Sequence, residues 1–116
     1  MILKDYTKIT DPSQYSDNIF SSAFVICQHQ RRYLIGFNNW RKQWDIPAGK
    51  REPKDAPTEP VLQTAIRELR EETHQIAQHL TLYGIATIFD EDKNENRNRA
   101  VFVRSTLTPS TWPLCV

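Results

Sequence analysis

Apolar residues are spaced along this chain in two ways, one typical of strands and one typical of a helix. Branched and aromatic residues are concentrated in four runs that predict β-strands, at residues 21–30, 31–39, 80–89 and 100–107. The first two runs predict a hairpin whose turn lies near residues 28–32. From Val61 to Ile76, apolar residues recur at spacings of three and four, which places one apolar stripe along a helix. This order of elements predicts an α+β or mixed α/β fold.

The segments between these runs are rich in turn-forming or charged residues. Residues 49–60 hold three of the seven prolines and predict a long loop before the helix. Thr58 is the predicted N-cap, and Pro60 is compatible with the first helical turn, where no backbone N–H needs a partner. Residues 90–99 predict a polar loop because they are too highly charged to be buried. The residues before position 21 show no clear pattern.

Length and composition describe a single domain spanning residues 1–116. The chain has 116 residues, of which 39% are hydrophobic, and this is enough to bury a small core. No apolar run reaches the roughly 20 residues of a membrane-spanning helix, and the N-terminus does not resemble a secretory signal. We therefore expect a cytoplasmic protein without membrane contact. Two cysteines are too few for a disulfide framework and predict free thiols.

The charges are unevenly distributed, although the net charge of +1 excludes a strongly basic nucleic-acid-binding protein. Residues 28–54 carry seven basic side chains and two carboxylates, which gives +5, whereas residues 55–95 carry nine carboxylates and three basic side chains, which gives −6. A basic segment followed by an acidic one suits a phosphorylated substrate held beside a divalent cation. Solvated charged faces would give the same pattern.

Three carboxylates share one face of the predicted helix. Glu68 and Glu72 are four positions apart and Glu68 and Glu71 are three apart, so their side chains project close together. Repulsion among them destabilises an isolated helix unless it is offset, and Arg67 can pair with Glu71. The cluster is therefore either a salt-bridged solvent-exposed face or an oxygen-rich site for Mg²⁺ or Mn²⁺.

The wider pattern around this helix resembles the signature of the Nudix hydrolases. Glu59 is followed after seven residues by the run Arg-Glu-Leu-Arg-Glu-Glu at residues 67–72, and the segment WDIPAGK at residues 44–50 precedes it. The resemblance implies a mixed β-sheet in an α/β/α sandwich. It also implies hydrolysis of a nucleoside diphosphate derivative or nucleoside triphosphate by water. Two features depart from the family pattern: nine residues separate Gly49 from Glu59 where the family has five, and His74 replaces a glycine.

The resemblance further implies roles for individual side chains. The implied catalytic residues are Arg67, Glu68, Glu71 and Glu72. The implied ligands of Mg²⁺ or Mn²⁺ are Glu68, Glu71, Glu72 and the backbone carbonyl near Ala48 or Gly49. Arg67 would orient Glu68 through a salt bridge, and Glu59 would support either the loop or the outer shell of the metal site. The general base of this family often comes from a downstream loop, where the candidates are Asp90, Glu91, Asp92 and Glu95.

Basic and aromatic residues near the signature suggest how a nucleotide would be bound. Lys50 and Arg51 would clamp phosphates, and Trp44 would stack on the base. Trp40 and Tyr33 are alternatives for stacking. Packing in the core or at its rim also explains all three aromatic residues.

The end of the helix and the end of the chain both depart from the family pattern. A residue other than glycine is unfavourable at a left-handed C-cap, so we expect the helix to continue towards His79. A zinc site is not expected, because His74 and His79 fall on different helix faces. Residues 106–116 contain two prolines and no helical period, so we expect the usual C-terminal helix to be missing. The sheet face left uncovered would favour association, and we expect a homodimer.

Two functions are compatible with these features. The first is a divalent-metal-dependent hydrolase that cleaves a phosphoanhydride bond of a nucleotide. The second is an inactive Nudix-like module, or a truncated remnant, that binds a nucleotide without turning it over. Both bind a small-molecule nucleotide, and the intact carboxylates Glu68, Glu71 and Glu72 favour the first.

Overall fold

The fold is built on a mixed β-sheet with one long helix packed against one of its faces. The computed structural model of the chain describes residues 2–29, 31–38, 42–76 and 79–104. Within these ranges the chain forms, in order, β1 (Ile2–Lys8), two short 3₁₀ turns (Pro12–Gln14 and Asp17–Ile19), β2 (Ser22–His29), β3 (Arg32–Tyr33), β4 (Gly36–Asn38), β5 (Gln43–Asp45), β6 (Ala48–Lys50), α1 (Val61–Thr73), β7 (Thr81–Asp90) and β8 (Glu95–Arg104).

The main sheet joins strands that are far apart in sequence. Its strand order is β1-β7-β8-β2-β3, and β6 pairs with the N-terminal half of β2. The β2–β8 pair is parallel and the other pairs of this sheet are antiparallel, which confirms the predicted mixed sheet. β4 and β5 form a separate two-stranded sheet. Among the described residues α1 supplies one helical layer, and a second layer of the expected sandwich is not present there.

Alternate residues of the two central strands form the core beneath α1. Successive side chains of a strand point to opposite faces, so Ala23 and Val25 of β2 lie on the same face as Ala100 and Phe102 of β8. All four are buried. They pack with the buried stripe of the helix, which consists of Val61, Ala65 and Leu69. The spacing of three and four predicted this stripe, and burying it holds the helix on the sheet.

The first turn of helix α1 is capped by a residue that is distant in sequence. Pro60 is the N-cap and makes no side-chain cap hydrogen bond. The backbone N–H of Val61 donates instead to Oδ2 of Asp17, at 3.1 Å. The prediction of Thr58 as N-cap is therefore wrong, because an acceptor 44 positions away in sequence takes that role.

Helix α1 ends at Thr73, so the predicted continuation towards His79 is also wrong. His74 adopts the left-handed conformation, with φ of 62°, and its N–H donates to the carbonyl of Arg70 at 2.8 Å. The next residue, Gln75, is buried, and its N–H donates to the Thr73 hydroxyl at 3.3 Å. Burial of the chain after the turn thus outweighs the unfavourable conformation of His74.

We expect the substitution His74→Gly to raise the free energy of unfolding by about 1 kcal/mol, because glycine adopts the left-handed conformation without steric cost. Chemical denaturation measures this change. His79→Gly is the matched control, because His79 is exposed and is not among the described residues with positive φ. A His74→Gly variant no more stable than the control would contradict the expectation.

The structure also differs from the sequence predictions in three strand regions: the N-terminal segment, the hairpin near residues 28–32 and the loop at residues 90–99. The N-terminal segment that shows no pattern forms β1 and two 3₁₀ turns. The hairpin near residues 28–32 exists, but it has only two paired positions, and the second run continues as β4, which pairs with β5. Most of the predicted polar loop at residues 90–99 is strand, because Asp90 pairs with Glu95 across a short turn. The turn closes with Asn94 at φ of 52°, a conformation that asparagine tolerates.

The sheet face opposite α1 carries an apolar groove of about 660 Å³. Its lining includes Phe24, Ile26, Val101, Tyr6 and Tyr83. The predicted absence of a C-terminal helix concerns residues 106–116, which lie outside the described residues. Within the described part of the chain, no helix is long and apolar enough to cross a membrane.

Candidate active site

The acidic face of α1 lies against strand β6. Pairing of Gly49 with Ala23 places β6 beside the helix that packs on β2. Two hydrogen bonds connect the elements directly: the N–H of Ala48 donates to Oε2 of Glu72 at 3.2 Å, and Nη2 of Arg67 donates to the carbonyl of Lys50 at 3.1 Å. The segment WDIPAGK and the acidic helix, which are adjacent only through the fold, therefore form one site.

Gly49 leaves the space that the Glu68 carboxylate occupies. A Cβ atom at position 49 would overlap the carboxylate and the Cγ atom of Glu68. Only glycine therefore fits opposite Glu68 in this conformation. The close approach brings the Gly49 backbone and the Glu68 carboxylate together, as the expected metal site requires.

We expect Gly49→Ala to displace the Glu68 carboxylate, to weaken Mn²⁺ binding and to lower turnover by at least about 10-fold, since small displacements of positioning groups have effects of this size. The melting temperature should change little, because the obstructing atoms belong to the end of a side chain. Calorimetric Mn²⁺ titration and thermal melting measure the two effects. Gly84→Ala is the control, since an added methyl group there meets Tyr6 instead. Unchanged Mn²⁺ affinity in Gly49→Ala would contradict this account.

One guanidinium group, that of Arg67, binds four carboxylates. It forms a bidentate pair with Glu59, with Nε to Oε2 at 2.9 Å and Nη2 to Oε1 at 3.0 Å. Nη1 lies 2.7 Å from Glu68, 3.4 Å from Glu71 and 3.3 Å from Glu52. The Arg67 side chain is only 17% exposed. Charge-assisted bonds in such partly buried surroundings hold side chains in fixed positions.

Glu59 is the best-bound carboxylate of this network. Besides Arg67, it accepts a hydrogen bond from the Thr64 hydroxyl at 2.7 Å and from the N–H of Glu52 at 3.3 Å. The hydrogen bond from Arg67 above all lowers the pKa of Glu59 to about 2. Glu59 therefore stays ionised and ties the helix to the loop at residues 52–59, in keeping with the supporting role that the resemblance implies.

Glu52 joins this network although no sequence pattern singles it out. Its carboxylate lies near Arg67, and its carbonyl accepts the N–H groups of Thr58 at 3.1 Å and Glu59 at 2.9 Å. These bonds join the two ends of the loop at residues 52–59. The four residues that this chain has in addition to the family pattern are accommodated in that closed loop. In the sequence, the neighbouring Pro53 predicts a turn at this position, but it does not predict the contact between Glu52 and Arg67.

Partial burial makes the negative charges of Glu68 and Glu72 unfavourable. The pKa of Glu72 is raised to about 7, first by burial and then by the negative charge of Glu68. Burial also raises the pKa of Glu68, although Arg67 opposes this effect. The pair thus carries a destabilising concentration of negative charge, which a bound cation would relieve.

These groups fit a hard divalent cation in chemistry, although they are not preformed as a cage. Carboxylate and carbonyl oxygens are the ligands that Mg²⁺ and Mn²⁺ prefer. In the described part of the chain no three acidic, histidine or cysteine side chains converge closely enough to hold a metal ion. In this structure Nη1 of Arg67 donates to one carboxylate oxygen of Glu68 and to one of Glu71. The assignment of Glu68, Glu71, Glu72 and the backbone near Gly49 as ligands stays a prediction, and the space beside Gly49 and the raised pKa of Glu72 favour it.

The structure separates the three residues expected to bind substrate. Lys50 is exposed at the end of β6, beside the acidic cluster. Trp44 is 42% exposed and precedes Asp45, whose negative charge contributes to the raised pKa of Glu72. Both side chains are therefore exposed to solvent near the acidic cluster. Trp40 lies outside the described residues, and Tyr33 lines the apolar groove on the opposite sheet face.

The expectation that Arg51 clamps phosphates is corrected by the structure. Arg51 is only 4% exposed. Its guanidinium donates to the carbonyl groups of Glu59 at 2.7 Å, Asp17 at 3.0 Å and Phe20 at 3.2 Å. Arg51 therefore joins the loop to the segment before β2. Its basic neighbours in sequence gave no sign of this role, because the acceptors are backbone carbonyls contributed by distant residues.

The candidate general bases lie around the turn between β7 and β8. Asp90 and Glu95 both pair with Arg97, at 3.4 and 2.7 Å. Asp90 also accepts the N–H groups of Asp92 and Lys93. The carboxylates of Asp90 and Glu95 thus have a structural use in the hairpin. The assignment of a general base among Asp90, Glu91, Asp92 and Glu95 stays a prediction.

Comparison with known proteins agrees with this geometry. A family model described as the NUDIX domain matches residues 20–113. Similar solved structures include the pyrophosphohydrolase BsRppH of Bacillus subtilis, with a TM-score of 0.65 and 20% identity, over 86% of this chain and 58% of that one. A NUDIX hydrolase from Nitrosomonas europaea has a TM-score of 0.60 and 22% identity, over 79% of this chain and 63% of that one. The Ap4A hydrolase of C. elegans has a TM-score of 0.54 and 22% identity, over 83% of this chain and 74% of that one.

The chain thus spans less than two thirds of the length of the first two of these proteins. A search of curated proteins finds no match. The family model covers most of the chain, including the acidic helix, the segment before it and the central strands. The mixed sheet, the helix with its Arg67 network and this match lead to one conclusion: the chain belongs to the NUDIX domain family.

Proposed function

We propose that this protein is a divalent-cation-dependent hydrolase that cleaves a phosphoanhydride bond of a nucleoside diphosphate derivative or nucleoside triphosphate by attack of water. The observation that carries the proposal is the burial of Glu68 and Glu72 beside the space left by Gly49, with a pKa of Glu72 raised to about 7. Strongly shifted carboxylates of this kind are concentrated at functional sites.

The proposed roles follow from the contacts of each residue. Glu68, Glu71, Glu72 and the Gly49 carbonyl would hold Mg²⁺ or Mn²⁺, which when bound polarises phosphate oxygens and lowers the pKa of water. Arg67 positions Glu68, and Glu59 positions Arg67. Lys50 would bind a phosphate of the substrate through its exposed ammonium group. Trp44 would contact the nucleoside beside the cluster.

The experiment is a turnover assay on a panel of nucleoside triphosphates, ADP-ribose and dinucleoside polyphosphates. Nucleotide products are separated by anion-exchange chromatography and quantified, in Mg²⁺, in Mn²⁺ and in EDTA. Turnover that requires the divalent ion supports the proposal and identifies the substrate class. Equal rates with and without the divalent ion would contradict the metal dependence.

The second candidate is a nucleotide-binding module without turnover. It is favoured by the position of Arg67, whose Nη1 pairs with Glu68 at 2.7 Å and with Glu71 at 3.4 Å and so engages oxygens that a cation would use. This candidate predicts that nucleotides raise the melting temperature while no member of the panel is hydrolysed. The same samples therefore distinguish the two functions.

We also propose that the protein is cytoplasmic. We propose further that it forms a homodimer, in which a second copy covers the apolar groove lined by Phe24, Ile26 and Val101. Burial of such a face favours association. Light scattering at micromolar concentration measures the mass directly. A compact monomer under these conditions would exclude this dimer.

A further inference from the structure

A second cavity, with a volume of about 450 Å³, lies next to the acidic site. Its walls come from the segment before β2, the end of β6, the loop after β6 and the start of β8. Most of the lining is polar or charged and includes Lys50, Lys54, Glu95, Asn96, Arg97 and Asn98. This composition differs from the apolar groove on the sheet face.

The cavity has an excess of positive charge. Lys50, Arg51, Lys54 and Arg97 contribute four cations to its lining. Two carboxylates, Asp90 and Glu95, pair with Arg97, so four minus two leaves a net charge of +2. Arg51 directs its hydrogen bonds to backbone carbonyls, which carry no full charge. A concave surface with this charge attracts anions.

The two lysines are available to a ligand. Both are exposed, and within the described part of the chain neither ammonium group forms an ion pair. Asn98 adds a donor, because its Oδ1 accepts the Thr87 hydroxyl at 2.9 Å while its amide NH₂ has no acceptor among the described residues. Ammonium and amide N–H groups together are the donors that bind phosphate oxygens.

Lys50 belongs both to the lining of this cavity and to the strand that carries Gly49. Lys50 directly follows Gly49, which contacts Glu68, and its carbonyl accepts a hydrogen bond from Arg67. Lys54 lines the same cavity and lies two residues beyond Glu52 in the sequence. An anion that extended from the acidic cluster along Lys50 would therefore enter the cavity that Lys54 also lines.

We propose that this cavity binds a phosphate group of the substrate that lies beyond the two phosphates joined by the cleaved bond. The proposal rests on the proposed hydrolase function and adds a preference for chains of three or more phosphates. Lys54 would be the specificity-determining residue, because it is exposed and lines this cavity.

The kinetic test compares substrates with two phosphates and substrates with more. In Lys54→Gln, we expect KM for ATP and for diadenosine tetraphosphate to rise about 5-fold, the effect of losing one charge-assisted contact, while kcat stays unchanged. KM for ADP-ribose should stay within about 1.5-fold, because its two phosphates do not reach the cavity. Lys4→Gln removes one charge from β1, at the far edge of the sheet, and should change neither value.

A binding test separates failure of this proposal from failure of the hydrolase function. Inorganic tripolyphosphate is titrated calorimetrically in EDTA, where no divalent ion supports binding at the acidic cluster. We expect the wild-type protein to bind it, Lys54→Gln to bind about 5-fold more weakly, and Lys4→Gln to bind as the wild type does. This pattern without turnover would support the cavity and contradict the hydrolase. Equal affinities in the two variants, or no binding by the wild-type protein, would overturn the cavity.

Discussion

Glu72→Gln is expected to lower metal-dependent turnover by at least about 100-fold, in line with the loss of one group that stabilises developing charge. Glu72 lies at the centre of the proposed site, because its carboxylate accepts the N–H of Ala48 and its charge interacts with that of Glu68. Glutamine preserves the size of the side chain but removes the negative charge that a cation requires. Initial rates at saturating Mg²⁺ measure the effect.

The same substitution should stabilise the metal-free protein at high pH. Burial and Glu68 raise the pKa of Glu72 to about 7, from 4.5. The native state then keeps a proton that the unfolded state releases, so stability falls as pH rises from about 4.5 to about 7. Glu72→Gln should not show this loss. At pH 8 its free energy of unfolding should therefore exceed that of the wild type by about 2 kcal/mol, after allowance for solvent screening. Thermal melts in EDTA between pH 5 and pH 8 measure it.

Asp55→Asn is the matched control for both measurements. It makes the same chemical change at an exposed carboxylate in the loop before α1. Its turnover and its stability profile should match those of the wild type. If Glu72→Gln retained turnover close to that of Asp55→Asn, the acidic cluster would not be the catalytic site.

Arg67→Met is expected to have the largest effect on stability, about 3 kcal/mol, because removing one partner of a partly buried ion pair leaves its carboxylates without compensation. Glu59 would lose its bidentate partner, and Glu68 would lose its shortest contact. Turnover should fall as well, since Glu68 would no longer be held beside Gly49. Chemical denaturation at pH 7 measures the first effect and initial rates the second.

The pH dependence below neutrality tests the cause of this loss. Arg67 lowers the pKa of Glu59 to about 2, so the wild type gains stability above pH 4.5 that it loses as pH falls towards 2. In Arg67→Met, this part of the acid dependence should disappear. Arg70→Met is the control, because Arg70 lies on the same helix and is exposed. Equal destabilisation by the two variants would show that charge on the helix, rather than the Arg67 network, is responsible.

Local patterns were sufficient for the helix and for much of its acidic face. The apolar stripe of Val61, Ala65 and Leu69 follows from sequence spacing, and it is the face that packs on the sheet. The same spacing places Glu68 and Glu72 together, because helix geometry relates positions four apart whatever surrounds them. The boundaries were less predictable, since Asp17 caps the start and the burial of Gln75 directs the chain away at the end.

Roles that depend on long-range contacts were not predictable from the chain. Arg51 and Lys50 are adjacent and both basic, yet one is buried on carbonyl groups and the other is exposed. Glu52 enters the Arg67 network only because the loop closes on its own base. In each case the partner is absent from the local sequence.

The sequence by itself determined which side chains share a helix face, and through the family pattern it indicated a cation site on that face. Only the tertiary structure decided how these side chains behave. Pairing of β6 with β2 brings Gly49 against Glu68, and packing of α1 on the sheet partly buries Glu68 and Glu72. The raised pKa of Glu72 results from that burial, because the free energy of a charge depends on the groups around it rather than on its position in the chain.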